Sequence, residues 1–155
     1  MRKRIRLISL STVLVLFAFL QSCNDGAIYD NVHSFDEKSW GKQDTAVFKL
    51  DVQDTLSNRD FILTLRTTTE YLYNNLWVYI MVTAPDGTTS KAAQMIPLTR
   101  PDGSWTGRVS GTLVESRLRF DSKPFPIKGE YIFKITNATQ QEEIPYVMDI
   151  GLRIE

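Results

Sequence analysis

Asn75-Leu76-Trp77-Val78-Tyr79-Ile80-Met81-Val82-Thr83-Ala84-Pro85-Asp86-Gly87 is the stretch from which the fold is read. Residues 76–82 are apolar or aromatic without a break, and rich in the side chains that favour strands. Their unbroken apolar character predicts a central strand covered on both faces. Ala84-Pro85-Asp86-Gly87 predicts a turn, because Pro85 presets φ and Gly87 accepts positive φ. Residues 88–98 then read as the next strand, with Ala93, Met95 and Pro97 on its apolar face.

Working outward, period-2 alternation recurs on both sides, which is the strand signal. Upstream, Phe48, Leu50 and Val52 share one face, and so do Phe61, Leu63 and Leu65. Downstream, Pro101-Asp102-Gly103 repeats the turn chemistry. In residues 105–113, Trp105, Gly107, Val109, Gly111 and Leu113 alternate with polar residues, and glycine inside a strand predicts a bulge or a close backbone approach. Leu118 and Phe120 extend an apolar face, and Lys123-Pro124-Phe125-Pro126 is a stiff connection. Tyr131, Phe133 and Ile135, then Met148, Ile150, Leu152 and Ile154, form two further inward faces. Helical signals are confined to single turns at residues 115–119 and 138–143. Seven to eight short strands predict an all-β antiparallel β-sandwich, of immunoglobulin-like or jelly-roll type. Periodicity does not choose between those topologies.

The N-terminus has a different character. Arg2-Lys3-Arg4-Ile5-Arg6 is a positive segment, followed by an apolar run at residues 7–20. A membrane-spanning helix needs about 20 apolar residues, so this run matches a signal-peptide core instead. Leu20-Gln21-Ser22-Cys23 closes it with the one cysteine of the chain and resembles the lipobox of bacterial lipoproteins. There the thiol at the first mature position takes a thioether-linked lipid. The plainer alternative is a free or buried cysteine beside an uncleaved anchor. The predicted organisation is a signal peptide over residues 1–22, a lipidated tether over 23–34 and one sandwich domain over 35–155. Phe35 and Trp40 are expected to pack at the domain edge.

The leader holds four of the 18 basic side chains and none of the 18 acidic ones, so residues 23–155 carry a net charge of about −4. That balance argues against nucleic acid, which asks for clustered Lys and Arg. It also leaves no polybasic patch for an anionic bilayer, so membrane attachment is expected through covalent lipid on Cys23.

Catalytic constellations do not emerge. His33 is the single histidine and reads as solvated or locally hydrogen-bonded, since a metal site would normally need more His or Cys ligands. The adjacent acids Asp36 and Glu37, and Glu142 and Glu143, point to opposite faces if extended. The expectation is a non-enzyme with no metal and no cofactor. Aromatics are more suggestive. Trp77 and Trp105 are expected mainly in the core. Tyr71, Tyr73, Asn74 and Asn75 precede a strand and are expected to be exposed, as a candidate contact surface for a protein or a glycan. Asp44-Thr45-Ala46 and Asp54-Thr55-Leu56 resemble a short O-glycosylation motif of Bacteroidetes envelope proteins, and equally suit turn caps.

Several blocks recur in order along the chain: Cys23, Tyr29-Asp30, Trp40, Leu65-Arg66, residues 75–80, Pro85-Asp86-Gly87, residues 102–107, residues 125–131 and Asp149-Ile150-Gly151-Leu152. Together they resemble the GldH family of gliding-motility lipoproteins. The resemblance implies a Bacteroidetes cell-envelope lipoprotein with envelope protein partners, linked to a machinery for motility and secretion and not to catalysis. Only Cys23 carries over as a functional residue. The single acid after it, Asp25, favours an outer-membrane lipoprotein facing the periplasm.

Overall fold

The computed structural model describes residues 26–155; the leader, Cys23 and the start of the tether lie outside them. The described residues form eleven strands: β1 (Tyr29–Ser34), β2 (Ser39–Gly41), β3 (Thr45–Val52), β4 (Arg59–Thr68), β5 (Asn75–Thr83), β6 (Thr89–Pro97), β7 (Arg108–Ser110), β8 (Leu113–Lys123), β9 (Gly129–Asn137), β10 (Glu143–Pro145) and β11 (Val147–Ile154). A five-stranded sheet in the order β1-β11-β4-β8-β7 packs on a four-stranded sheet in the order β3-β9-β5-β6, and β10 pairs with β2.

Eight of these strands are long, and their pairing is nested. In chain order the first pairs with the last (β1 with β11), the second with the seventh (β3 with β9), the third with the sixth (β4 with β8) and the fourth with the fifth (β5 with β6). The chain is in effect one long hairpin whose tip is the turn at Pro85-Asp86-Gly87. Rolling this ladder brings β11 against β4 and β9 against β5, which closes two sheets over one core. That is the jelly-roll arrangement, and it settles the choice that periodicity leaves open. The tip follows its predicted chemistry: Gly87 has φ 84°, and its N–H donates to the Ala84 carbonyl at 2.9 Å.

The predicted inward faces hold in β3, β4 and β9, whose Phe48, Leu50, Val52, Phe61, Leu63, Leu65, Tyr131, Phe133 and Ile135 are buried. In β11 a bulge between Val147 and Asp149 turns Met148 out of the series, while Ile150, Leu152 and Ile154 stay inside. Aromatic rings tie the layers together, with Phe61 5.2 Å from Phe125 and 6.1 Å from Phe133. Gly107 meets its expected close approach: an added Cβ would collide with the Glu115 backbone carbonyl.

Several expectations are corrected. Residues 29–34 do not belong to a tether, because β1 pairs along its full length with β11. Being an edge strand, most of it faces water, which erased the periodicity. β6 is displaced by one residue from its expected phase: Ile96 and, just beyond it, Leu98 are buried, whereas Met95 faces out. Residues 105–112 yield only the three-residue β7, Leu113 opens β8, and residues 115–119 are strand. The one helical turn among the described residues is a 3-10 turn at Asp36–Lys38. It folds Phe35 back onto Trp40, with ring centroids 4.5 Å apart, and Trp40 is fully buried rather than marginal.

Register defines two poles. Tyr29, Val52, Phe61, Thr83 and Gly129 lie toward one end, where the chain enters. The β4–β5 connection, the loop after β9 and the segment after Leu98 gather at the other. A ten-residue strand such as β4 spans about 30 Å, so the far pole stands well away from the entry pole.

Candidate functional site

The far pole carries a cleft of about 290 Å³. Its walls come from the β4–β5 connection, the start of β5 and the loop after β9. Of the four residues expected as a contact surface, Tyr73, Asn74 and Asn75 line it openly. Tyr71 does not: it is buried beneath them, a correction to its expected exposure. Its hydroxyl donates to the Asn75 carbonyl at 3.2 Å, and its ring meets that of Tyr73 edge-on at 5.7 Å. Burial, then the neighbouring Tyr73, pushes the Tyr71 hydroxyl well above the ordinary phenol range. Tyr71 therefore stays neutral and supports the surface from below.

Tyr73 is 45% exposed, and its hydroxyl accepts a hydrogen bond from Gln141 Nε2 at 2.5 Å. Asn75 Nδ2 donates to Asn74 Oδ1 at 2.8 Å, and the Asn74 carbonyl accepts the Leu98 N–H at 2.9 Å. The facing loop is shaped by its own polar side chains. Asn137 Oδ1 accepts the Thr139 N–H at 2.7 Å, and Thr139 Oγ1 accepts the Gln141 N–H at 3.2 Å. Such local bonds compete with helix, which is why residues 138–142 form an irregular loop instead of a helical turn and Glu143 opens β10. Gln140 and Gln141 were missed as site residues. The only local signal was the polar run that begins at Asn137.

Trp77 borders the same cleft and is 45% exposed, contrary to its expected place in the core. β5 does alternate: Leu76, Val78 and Ile80 face the core, while Trp77, Tyr79 and Met81 face out. The outer face is apolar as well, so the sequence carried no phase. Met95 and Ala93 of β6 stand opposite Trp77 and Tyr79. A contiguous apolar stripe thus runs down the outside of the four-stranded sheet. Lys91 Nζ lies 4.0 Å over the Tyr79 ring, and Lys91 and Lys134 both stand opposite Met81.

Trp105, expected in the core, is partly buried against it. His33 sits on β1 with its ring 5.3 Å from that of Phe35. Among the described residues, no three His, Cys, Asp or Glu side chains group as a metal site would require. The two aspartates of the short glycosylation-like motifs both make turn contacts. Asp44 Oδ2 accepts the Gly41 N–H at 3.0 Å, and Asp54 Oδ1 accepts the Leu56 N–H at 2.9 Å.

The chain matches the family model described as GldH lipoprotein over residues 27–154. It is 28% identical over 150 residues to a protein of Christiangramia forsetii named "Gliding motility lipoprotein GldH homolog", covering 92% of this chain and 90% of that one. It is also 28% identical over 153 residues to "Gliding motility lipoprotein GldH" of Flavobacterium johnsoniae, covering 94% and 95%. Among solved structures, the infectious bursal disease virus VP2 subviral particle aligns with a TM-score of 0.34 at 15% identity. That alignment covers 83% of this chain and 33% of the viral one. With the family model spanning nearly every described residue, the chain belongs to the GldH lipoprotein family.

Proposed function

We propose that this chain is a lipid-anchored, non-catalytic interaction component of the cell envelope, joined to the membrane at Cys23 and docked on an envelope protein through the outer face of its four-stranded sheet. The observation that carries the docking is the stripe of Trp77, Tyr79 and Met95 exposed to solvent, continued by the half-buried Met81. Contiguous apolar surface of this kind marks interaction sites, because water is better released from it by a partner. Lys91 and Lys134 flank the stripe, so the matching partner surface is apolar with an acidic rim. The relatives are named gliding-motility lipoproteins, which supports a partner in a gliding-motility assembly. The family and the single acid Asp25 support an outer-membrane lipoprotein facing the periplasm.

Two measurements test this. Labelled palmitate is expected on the wild type and absent from Cys23→Ala; label retained by the variant sinks the anchor. For docking, the native lipoprotein is extracted from membranes and its associated proteins identified, alongside a Tyr79→Arg, Met95→Arg variant with an unchanged melting temperature. An envelope protein is expected with the wild type and lost from the variant. No stable partner, or one retained by the variant, overturns the docking face.

A further inference from the structure

We infer that the far-pole cleft is a binding site for a neutral glycan bearing N-acetylated sugars. Its lining combines two exposed aromatic rings, Tyr73 and Trp77, and the buried ring of Tyr71 with four primary amides, Asn74, Asn75, Gln140 and Gln141. The remaining lining residue, Thr139, is uncharged too. A lining without cations does not suit an anionic ligand, and one without carboxylates does not suit a cation.

The amides hold unused capacity. Each offers two N–H donors and a carbonyl acceptor. Internal bonds engage Asn74 Oδ1, one hydrogen of Asn75 Nδ2 and one of Gln141 Nε2. The Asn74 amide nitrogen, Asn75 Oδ1, Gln141 Oε1 and the whole Gln140 amide remain available to a ligand. Such mixed donors and acceptors match sugar hydroxyls. They match an acetamido group better, because its N–H and C=O pair reciprocally with a side-chain amide. The acetamido methyl and the C–H face of a sugar ring are apolar, and both suit the exposed Trp77 and Tyr73 rings.

The site is also organised in advance, which limits the ordering cost of binding. Tyr73 is held on one side by Gln141 and on the other by the buried Tyr71. Trp77 rides on β5, and its carbonyl accepts the Ala138 N–H at 3.0 Å, which fastens the facing loop to the strand. At about 290 Å³ the cleft is at the small end for ligand sites, so it takes a short portion of a longer chain. The site meets the docking stripe at Trp77, but Tyr73 and Gln141 lie off the stripe and Tyr79 and Met95 lie outside the cleft, so substitutions at those residues separate the two.

The test titrates the full-length, detergent-solubilised lipoprotein with N-acetylglucosamine tetrasaccharide, followed by tryptophan fluorescence and calorimetry. Glucose tetrasaccharide is the comparator. The expected Kd is roughly 0.1–1 mM, at least about threefold tighter for the N-acetylated chain. Gln141→Ala combined with Tyr73→Ala is expected to weaken binding about tenfold or more. Leu56→Ser, at the entry pole, is expected to leave it unchanged. Tyr73→Phe removes only the hydroxyl, and is expected to weaken binding by a few-fold if the double variant fails to fold. Absence of binding by both saccharides, equal affinity for the two, or affinity indifferent to Tyr73 and Gln141 would each overturn the assignment. So would a protein partner that docks through these residues when neither saccharide binds.

Discussion

The two outer faces of the sandwich answer water in opposite ways. On the five-stranded sheet the charges meet one another. Arg66 grips Asp149 side-on, with Nε to Oδ1 and Nη2 to Oδ2 both at 2.7 Å. Arg119 reaches Asp60 at 2.9 Å, and Arg153 reaches Asp30 at 2.7 Å and Glu155 at 2.6 Å. On the four-stranded sheet, Trp77, Tyr79 and Met95 are exposed to solvent, and Lys91 lies over the Tyr79 ring. On the first face these carboxylates find their partners within the chain, and Val32 is exposed among them. The second exposes apolar area that only another surface can cover. One sheet therefore holds the domain together on both of its sides, while the other does so on its inner side alone.

The largest way to break that contrast is at Arg66. Asp149 is buried although it stands on the outer face, so Arg66→Met strands a carboxylate. Loss of one partner of a fully buried pair costs about 3–5 kcal/mol; because Arg66 is 40% exposed, about 2–3 kcal/mol is expected here. Urea unfolding reads it as a lowered midpoint. Replacing both residues, Arg66→Met with Asp149→Leu, is expected to restore most of the loss. A single variant as stable as wild type would mean the paired face contributes little.

Next comes acidity. The Ser122 hydroxyl, then Arg119, hold the Asp60 carboxyl below its ordinary value. Its folded pKa is lower than its unfolded one, so between them the unfolded chain binds more protons. The stabilisation is present above the unfolded value and is lost as pH falls through the depressed one. Asp60→Asn is expected to flatten the stability profile in that acid window, and an unchanged profile would refute the assignment. At the entry pole, Asp54 makes the same point as a control. Ser57, whose hydroxyl acts first, and the Leu56 and Ser57 N–H groups lower its carboxyl to about 2. Carboxyl carbon resonances should show that midpoint; one near the ordinary carboxylate value would contradict it.

The smallest effect is expected on the other face. Tyr79→Thr is expected to move stability by less than about 1 kcal/mol, since the ring is already 37% exposed and the strand keeps a β-branched residue. A loss as large as that of Arg66→Met would show the stripe to be structural, and the contrast between the faces would fail.

How much was legible follows from where phase was visible. Phe48-Lys49-Leu50-Asp51-Val52 displays its inward face because charged residues mark the outward one. In β5 both faces are apolar, so Trp77 was placed inside and the stripe was missed. In β6 the small residues Ala92 and Ala93 blurred the phase, and the neighbouring register with β5 set it instead. Tyr71 and Tyr73 lie two residues apart in one short connection, yet one is buried and one exposed. That division depends on Asn75 and Gln141, of which only Asn75 is a near neighbour in sequence.

The sequence by itself determined most of the strands, the turn at Pro85-Asp86-Gly87 and the all-β class, because alternation and turn chemistry act over a few residues. Tertiary structure alone decided that the long hairpin rolls into a jelly roll, that residues 29–34 join it as an edge strand, and that Gln141 meets Tyr73. Those outcomes rest on pairing between strands far apart in the chain. Such pairing is selected by which faces can be buried together, and that is a property of the assembled sheets rather than of any one segment.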